Sequence, residues 1–338
     1  MQTKFDGPRD KRGDWVPQVP LHIAPLMDWP FRPLAILKWL FGYPGYFLPW
    51  GLVYMAFPIV TWQWLTPAMP DMQNFHLGWI AYILVRNYAM VALVVGGWQL
   101  RLYWLKAQGT DFKYTTRWPA KGNSIFLFKD QTLDNLFWTV ASAVPMWTAY
   151  EVATLWAYAN HLLPYVSWQD HPVYCTLLFC LIPMIRDVHF YLVHRLIHWG
   201  PLYRWVHYLH HNNVNVEPIS GLSMHPVEHL FYFSGALLHW VLPSHPIHLL
   251  FHLQHAAITP AQGHAGFERI VMADGVAVKT GDYFHYLHHK YFECNYGADG
   301  PVPLDKWFGS FHDGTNASTE AMNARFMARA KQKQAAGG

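Results

Sequence analysis

Histidine is the residue whose number and spacing could do chemistry in this chain, with 22 among 338 residues and many of them in short runs. His194 and His198 stand four apart in HRLIH (194–198), so on a helix they lie one above the other on one face and can hold one metal ion. HYLHH occurs twice, at 207–211 and at 285–289. Within each copy the helical offsets bring three imidazoles inside about 100° of arc. Adjacent histidines, 210 beside 211 and 288 beside 289, diverge too far to serve one tetrahedral ion, yet they can straddle two. His194, His198, His207, His210, His211, His285, His288 and His289 together offer eight imidazoles. A single ion cannot use eight ligands, so the spacing predicts a dinuclear centre. Asp187, seven residues before His194, returns to the same face as a candidate carboxylate behind a ring nitrogen, and Asp282 is a second such candidate. His189 is turned away by about 140° and reads as a hydrogen-bonded structural histidine.

Imidazole donors suit iron, copper or zinc, and the ligand type alone does not choose among them. The HExxH arrangement of zinc hydrolases is absent. Neutral ligands beside a membrane fit oxygen activation on an apolar substrate better.

The elements that must position these clusters are written in the apolar runs. The chain is 52% hydrophobic and 17% aromatic, more than a soluble core requires. Four stretches, 43–66, 75–100, 136–158 and 173–193, reach the length of about 20 apolar residues that a bilayer crossing needs. Aromatic residues such as Trp62, Trp64, Trp98 and Trp104 crowd their ends. The 1–42 arm and the 101–132 connection are rich in Lys and Arg, whereas the 67–74 and 159–172 connections contain none. The positive-inside rule therefore puts both termini and all three histidine clusters on the cytoplasmic side.

The expected fold is all-α, a bundle of about four transmembrane helices with a cytoplasmic helical dimetal region over 194–312. Two short apolar pieces around LPSHP read as a shallow or re-entrant hairpin at 230–258, and the polar tail at 313–338 reads as a solvated helix or disorder. Arg86 and Glu151 lie at matched depth in the second and third spans and are expected to pair. The three cysteines form no disulfide framework. No signal peptide is expected at the N-terminus, and a net charge of +3 gives no case for nucleic-acid binding.

The run RDVHFYLVHRLIHWGPLYRWVHYLHH, followed by GLSMHPVEH, GHAG, HYLHHKYFECNYG and LDKWFGS, resembles the fatty acid hydroxylase/sterol desaturase superfamily over roughly 173–312. The resemblance implies a di-iron centre, dioxygen as cosubstrate, a membrane lipid substrate, and electrons from an external donor such as cytochrome b5 or a ferredoxin-like protein. It implies ligand roles for the eight clustered histidines and points to His225 of HPVEH and His264 of HAG, for which a backbone-capping role is the alternative. Leu304 stands where the family usually has Trp, and the aspartate of that element falls at Asp305 in a structural role. The activity implied is lipid hydroxylation, with desaturation as the nearest rival. The setting implied is a bacterial inner membrane or the endoplasmic reticulum. A haem-binding electron carrier would need axial histidines on facing spans, and a metal transporter would need ligands at mid-membrane depth. Here the clusters follow the spans.

Overall fold

Long apolar runs with few breakers become the long helices. In the computed structural model, which describes residues 7–273 and 275–336, α1 spans Pro33–Phe41, α2 Trp50–Trp64, α3 Leu77–Gln99, α4 Gln131–Trp138, α5 Val144–Ala159 and α6 Pro172–Ile197. A π-helical turn extends α3 to Trp104, and another joins α4 to α5 without a gap. The starts follow local chemistry. The Asp130 carboxylate accepts the Leu133 amide at the head of α4, and Pro172 opens α6 where a missing N–H costs nothing.

Among the described residues two helices, Leu77–Trp104 and Pro172–Ile197, are long and apolar enough to cross a membrane. The other two expected spans are weaker elements. α2 has 15 residues, about 22 Å of helix, and starts only after Pro44 and Pro49. The α4–α5 stretch carries buried Asp134, Asn135 and Glu151, which dilute its apolar character. The all-α expectation also needs one addition, an antiparallel hairpin of β1 (Arg269–Ala273) and β2 (Val276–Lys279), with Ile270 opposite Val278.

The expected Arg86–Glu151 pair is formed, buried between α3 and α5. Asn87 donates to the other oxygen of Glu151 at 3.1 Å, and the Leu65 carbonyl accepts from Arg86 at 3.0 Å. Removing one member strands a buried charge. Arg86→Met is therefore expected to destabilise the protein by about 3–5 kcal/mol, and the double variant with Glu151→Gln by less. Thermal unfolding of the single and double variants checks this, and equal losses for the two would contradict it.

The 230–258 hairpin packs inside the bundle. Its second arm, Pro246–Ile258, is buried at every position except His255 and packs against α2, α5 and α6. Its tip bonds to the 159–172 connection, with the Ser244 amide on the Pro164 carbonyl at 3.2 Å. That connection precedes α6, whereas His194 sits at the far end of the same 26-residue helix. The hairpin thus reaches deep into the bundle, away from the histidine clusters.

The N-terminal arm is not loose either, over its described part. Asp14 is buried and pairs with Lys290 at 3.0 Å, and Tyr283 donates to the Trp15 carbonyl. Lys113 from the 101–132 connection is fully buried and donates to the Arg117 carbonyl, while the Tyr114 amide bonds to the Gly266 carbonyl. Arm, connection and histidine region form one packed unit, so they share one side of the bundle. Residues 316–336 form a helix, which is the solvated-helix alternative for the tail, although Met322 is buried against this unit.

Candidate metal centre

α6 delivers His194 in its last turn and ends at His198, so the first pair is carried by the same helix that crosses the bundle. The first HYLHH follows on a π turn and a short α turn, Tyr208–His211, and the second lies in the helix Tyr283–Tyr291. The structure gathers their imidazoles into two groups. His194, His198, His207, His211 and His288 form one, and His210, His264, His285 and His289 form the other. Within each group the candidate donor atoms lie inside 4.8 Å of one another. Each HYLHH is split between the groups as its helical phase requires. The first gives two rings to the larger group and one to the smaller, and the second does the reverse.

The hydrogen bonds decide which ring nitrogen points inward. Nδ1 of His194 faces the Tyr296 carbonyl at 2.7 Å, that of His288 the Cys294 carbonyl at 2.7 Å, and that of His210 the Ser223 carbonyl at 3.1 Å. A carbonyl only accepts, so each Nδ1 carries the proton and each Nε2 is a bare lone pair. Nδ1 of His207 likewise donates to Glu228 at 2.7 Å. Yet Nε2 of His194 stands 3.2 Å from Nε2 of His207, and Nε2 of His198 stands 3.1–3.2 Å from those of His207, His211 and His288. The bare lone pairs of His194 and His207 repel at that distance unless a cation sits between them, and the other Nε2 atoms crowd the same point. Donors about 2.1 Å from a common ion and about 90° apart would stand about 3.0 Å from one another, which matches this packing. The residues therefore fit two metal ions.

The neighbours hold this arrangement. Asp305 accepts the Tyr296 and Gly297 amides at 2.9 and 2.7 Å and the Ser310 hydroxyl at 2.6 Å, fixing the loop whose Tyr296 carbonyl orients His194. Asn295 takes a φ of 51°, a left-handed conformation that Asn tolerates, and its amide donates to the His312 carbonyl. Ser220 Oγ meets His264 Nδ1 at 2.9 Å, and His264 Nε2 lies 2.8 Å from His285 Nε2.

Three of the candidate roles change. His225 stands apart from both groups, because its Nδ1 accepts the Val227 amide and caps the helix Pro226–Phe233. Asp187 touches no imidazole; it pairs with Arg186 at 3.1 Å and lines a cavity. Asp282 accepts the backbone amides of His285 and Asp299, so it positions a helix start and no ring. The carboxylate that does orient a ring is Glu228 of HPVEH, which sequence spacing did not single out. His189 bonds to Ser234 Oγ at 3.0 Å, outside both groups, and His229 bonds to Ser142 and the Leu222 carbonyl.

A cavity of about 440 Å³ runs up to His210, His264 and His285. Its walls combine the rings of Tyr54, Phe190, Tyr232 and Phe251, suited to hydrocarbon, with the charged Arg186, Asp187, Lys279, Asp282 and Asp299.

Burial lowers the proton affinity of these rings, to about 2 for His198, about 4 for His210 and about 3 for His285. Below the ordinary value of 6.5 the unfolded chain binds protons that the folded site refuses. Stability is thus complete above that value and falls as the pH drops toward the lowered ones. Each such ring contributes up to about 1.4 kcal/mol per pH unit in that window. A melting temperature that declines steadily between about pH 6.5 and pH 4 is expected, and a flat one would contradict this reading.

The geometry describes a helical protein built around two adjoining groups of buried imidazoles. Residues 179–310 match the fatty acid hydroxylase family, which supports the resemblance to the fatty acid hydroxylase/sterol desaturase superfamily. It is 30% identical over 141 residues to a Delta(7)-sterol 5(6)-desaturase of Candida glabrata, covering 39% of this chain and 36% of the relative. The figures are 30% over 139 residues, again 39% and 36%, for the Saccharomyces cerevisiae protein of the same name. A Dictyostelium discoideum protein named for methylsterol monooxygenase activity is 28% identical over 134 residues, covering 38% of this chain and 47% of its own length. The chain thus spans between about a third and a half of the length of these relatives. No solved structure matches.

Proposed function

We propose that this chain is a membrane-embedded, dioxygen-dependent lipid hydroxylase whose two irons are held by His194, His198, His207, His211 and His288 in one group and by His210, His264, His285 and His289 in the other. The observation that carries the reading is the meeting of the bare Nε2 lone pairs of His194 and His207 at 3.2 Å within a cluster of five imidazoles, which a bound cation makes favourable. Iron so bound supplies the activation of dioxygen needed to attack an unactivated C–H bond. The chain's own residues do the rest. Glu228 and the Tyr296, Cys294 and Ser223 carbonyls hold the protons at Nδ1 and fix each ring. The cavity ending at His210, His264 and His285 brings a lipid carbon against the smaller group.

Desaturation is a second reading, favoured by the names of the Candida and Saccharomyces relatives. It differs in how the second hydrogen is lost, and labelled dioxygen separates the two. Oxygen retained in the product marks hydroxylation, and loss of two hydrogens without it marks desaturation. Electrons come, in this proposal, from an external donor of the cytochrome b5 or ferredoxin kind. The packing of the 7–16 arm and the 101–132 connection against the histidine region supports a common side for all three, and the proposal of four crossings with that side cytoplasmic rests on the loop charges. Lipid profiling of cells with the wild-type chain, with His210→Ala and with His288→Ala tests the reading. The wild type should add an oxidised lipid that both variants lack, and identical profiles would overturn it.

A further inference from the structure

Arg186 and Asp187 are charges placed past the middle of α6, a helix long and apolar enough to cross a membrane, where each is costly unless it pairs or faces a polar cavity. Both line the cavity, with side chains 13% and 21% exposed. The comparison with Arg86 is informative. Arg86 uses all three guanidinium nitrogens, on Asn87, Leu65 and Glu151. Arg186 donates from Nη1 to Asp187 and from Nη2 to the Tyr232 hydroxyl, which itself donates to the Ala256 carbonyl. Three of the five N–H donors of a guanidinium are then left over among the described residues. Asp187 uses Oδ1 for Arg186, and its Oδ2 has no hydrogen-bond partner among them.

The pair sits in register with the metal centre. Residues 186, 190 and 194 recur every four along α6, so they stack on one face. The guanidinium carbon lies 4.9 Å from the centre of the Phe190 ring, which is in turn 4.8 Å from the His194 ring and 6.3 Å from the His285 ring. The stripe therefore reads as a polar anchor, an aromatic wall and an imidazole, about 12 Å from end to end.

Resting on the lipid-oxidation reading above, we propose that Arg186 and Asp187 bind the hydroxyl group of a neutral lipid alcohol and so set which carbon reaches the histidine groups. A hydroxyl both accepts and donates, which suits spare N–H groups beside a spare carboxylate oxygen. The cavity wall carries three carboxyl groups, Asp187, Asp282 and Asp299, against two cations, Arg186 and Lys279, so an anionic headgroup meets no net positive charge there. Anchoring at a polar end means that the oxidised carbon is measured from the hydroxyl, not from a terminal methyl.

Scintillation proximity binding on the purified full-length protein tests this without turnover, using tritiated cholesterol and tritiated octadecanol, each against its own methyl ether, and tritiated palmitate. At least one alcohol should bind about tenfold more tightly than its ether and than palmitate, because only the alcohol can donate to Asp187. Asp187→Ala should abolish the preference over the ether, whereas Arg186→Met removes a donor that both oxygens accept from and should weaken alcohol and ether alike. Asp187→Asn keeps an acceptor without the charge and should retain part of the preference, which keeps the test decisive if the Ala variant does not fold. Equal binding of alcohols and ethers by the wild type, tighter binding of palmitate, or a preference for the alcohol undiminished in Asp187→Ala would overturn the proposal. A wild type that prefers the alcohol yet never consumes dioxygen with any lipid would leave this site standing and remove the oxygenase reading.

Discussion

Replacing His288 or His289 by alanine is expected to remove one bound metal ion in each case, although the two residues are neighbours on one helix and equally buried. His288 belongs with His194, His198, His207 and His211, whereas His289 belongs with His210, His264 and His285. Successive residues on a helix point about 100° apart, so in the proposed centre the two rings would serve different ions. Each deletion takes away a direct donor, and affinity at the affected ion should fall beyond the roughly 10–100-fold typical for loss of an outer partner. Lipid oxidation should vanish in both variants, because an ion left alone is not the dinuclear centre. His225→Ala is the matched control. It removes a helix cap worth about 1 kcal/mol and should leave metal content at the wild-type value. Metal analysis of the three purified variants decides the matter. Loss of both ions from either histidine variant would contradict the division into two separate groups.

The second large effect is expected at Glu228. Its Oε1 accepts the Nδ1 proton of His207 at 2.7 Å, while Oε2 is buried without a hydrogen-bond partner among the described residues. A carboxylate behind a ligating imidazole fixes the tautomer and makes the inner nitrogen more basic. Glu228→Gln keeps an acceptor and loses the charge, so metal affinity should fall by about 10-fold. Glu228→Ala also strands the Nδ1 proton and should cost nearer 100-fold. Competition with a chelator of known affinity, at fixed pH, measures both. Equal affinities for wild type and Glu228→Ala would show that His207 is not a ligand held from behind.

How much of this was legible in the sequence follows from what helical periodicity can carry. The splitting of 210 from 211 and of 288 from 289 is a matter of local phase, and the structure shows that arrangement. The Arg86–Glu151 pair was legible because the cost of an unpaired charge in an apolar span leaves few alternatives. Partners that depend on tertiary contact were not legible by spacing. Asp187 has the right phase for His194, yet its neighbour Arg186 draws it toward the cavity. Glu228 reaches His207 across a separation of 21 residues that no periodicity encodes. His225 and His264 looked alike as isolated turn histidines. Only the packing of residue 264 beside His285 distinguishes them.

The same limit applies to the frame. Apolar length marked α3 and α6 well, even though Arg86 interrupts the first and Pro183, Arg186 and Asp187 the second. It overstated the first span, where the prolines at 44 and 49 delay the helix, and it understated the hairpin. Thirteen residues are too few to span alone, but Pro246–Ile258 is buried by α2, α5 and α6 and need not meet lipid at all.

The most direct test of the central claim is a count. Purified wild-type protein from iron-replete cells, assayed for metal and for chain concentration on the same sample, should hold two irons per chain. A single ion per chain, or none, in protein that is folded and carries all nine histidines would contradict it.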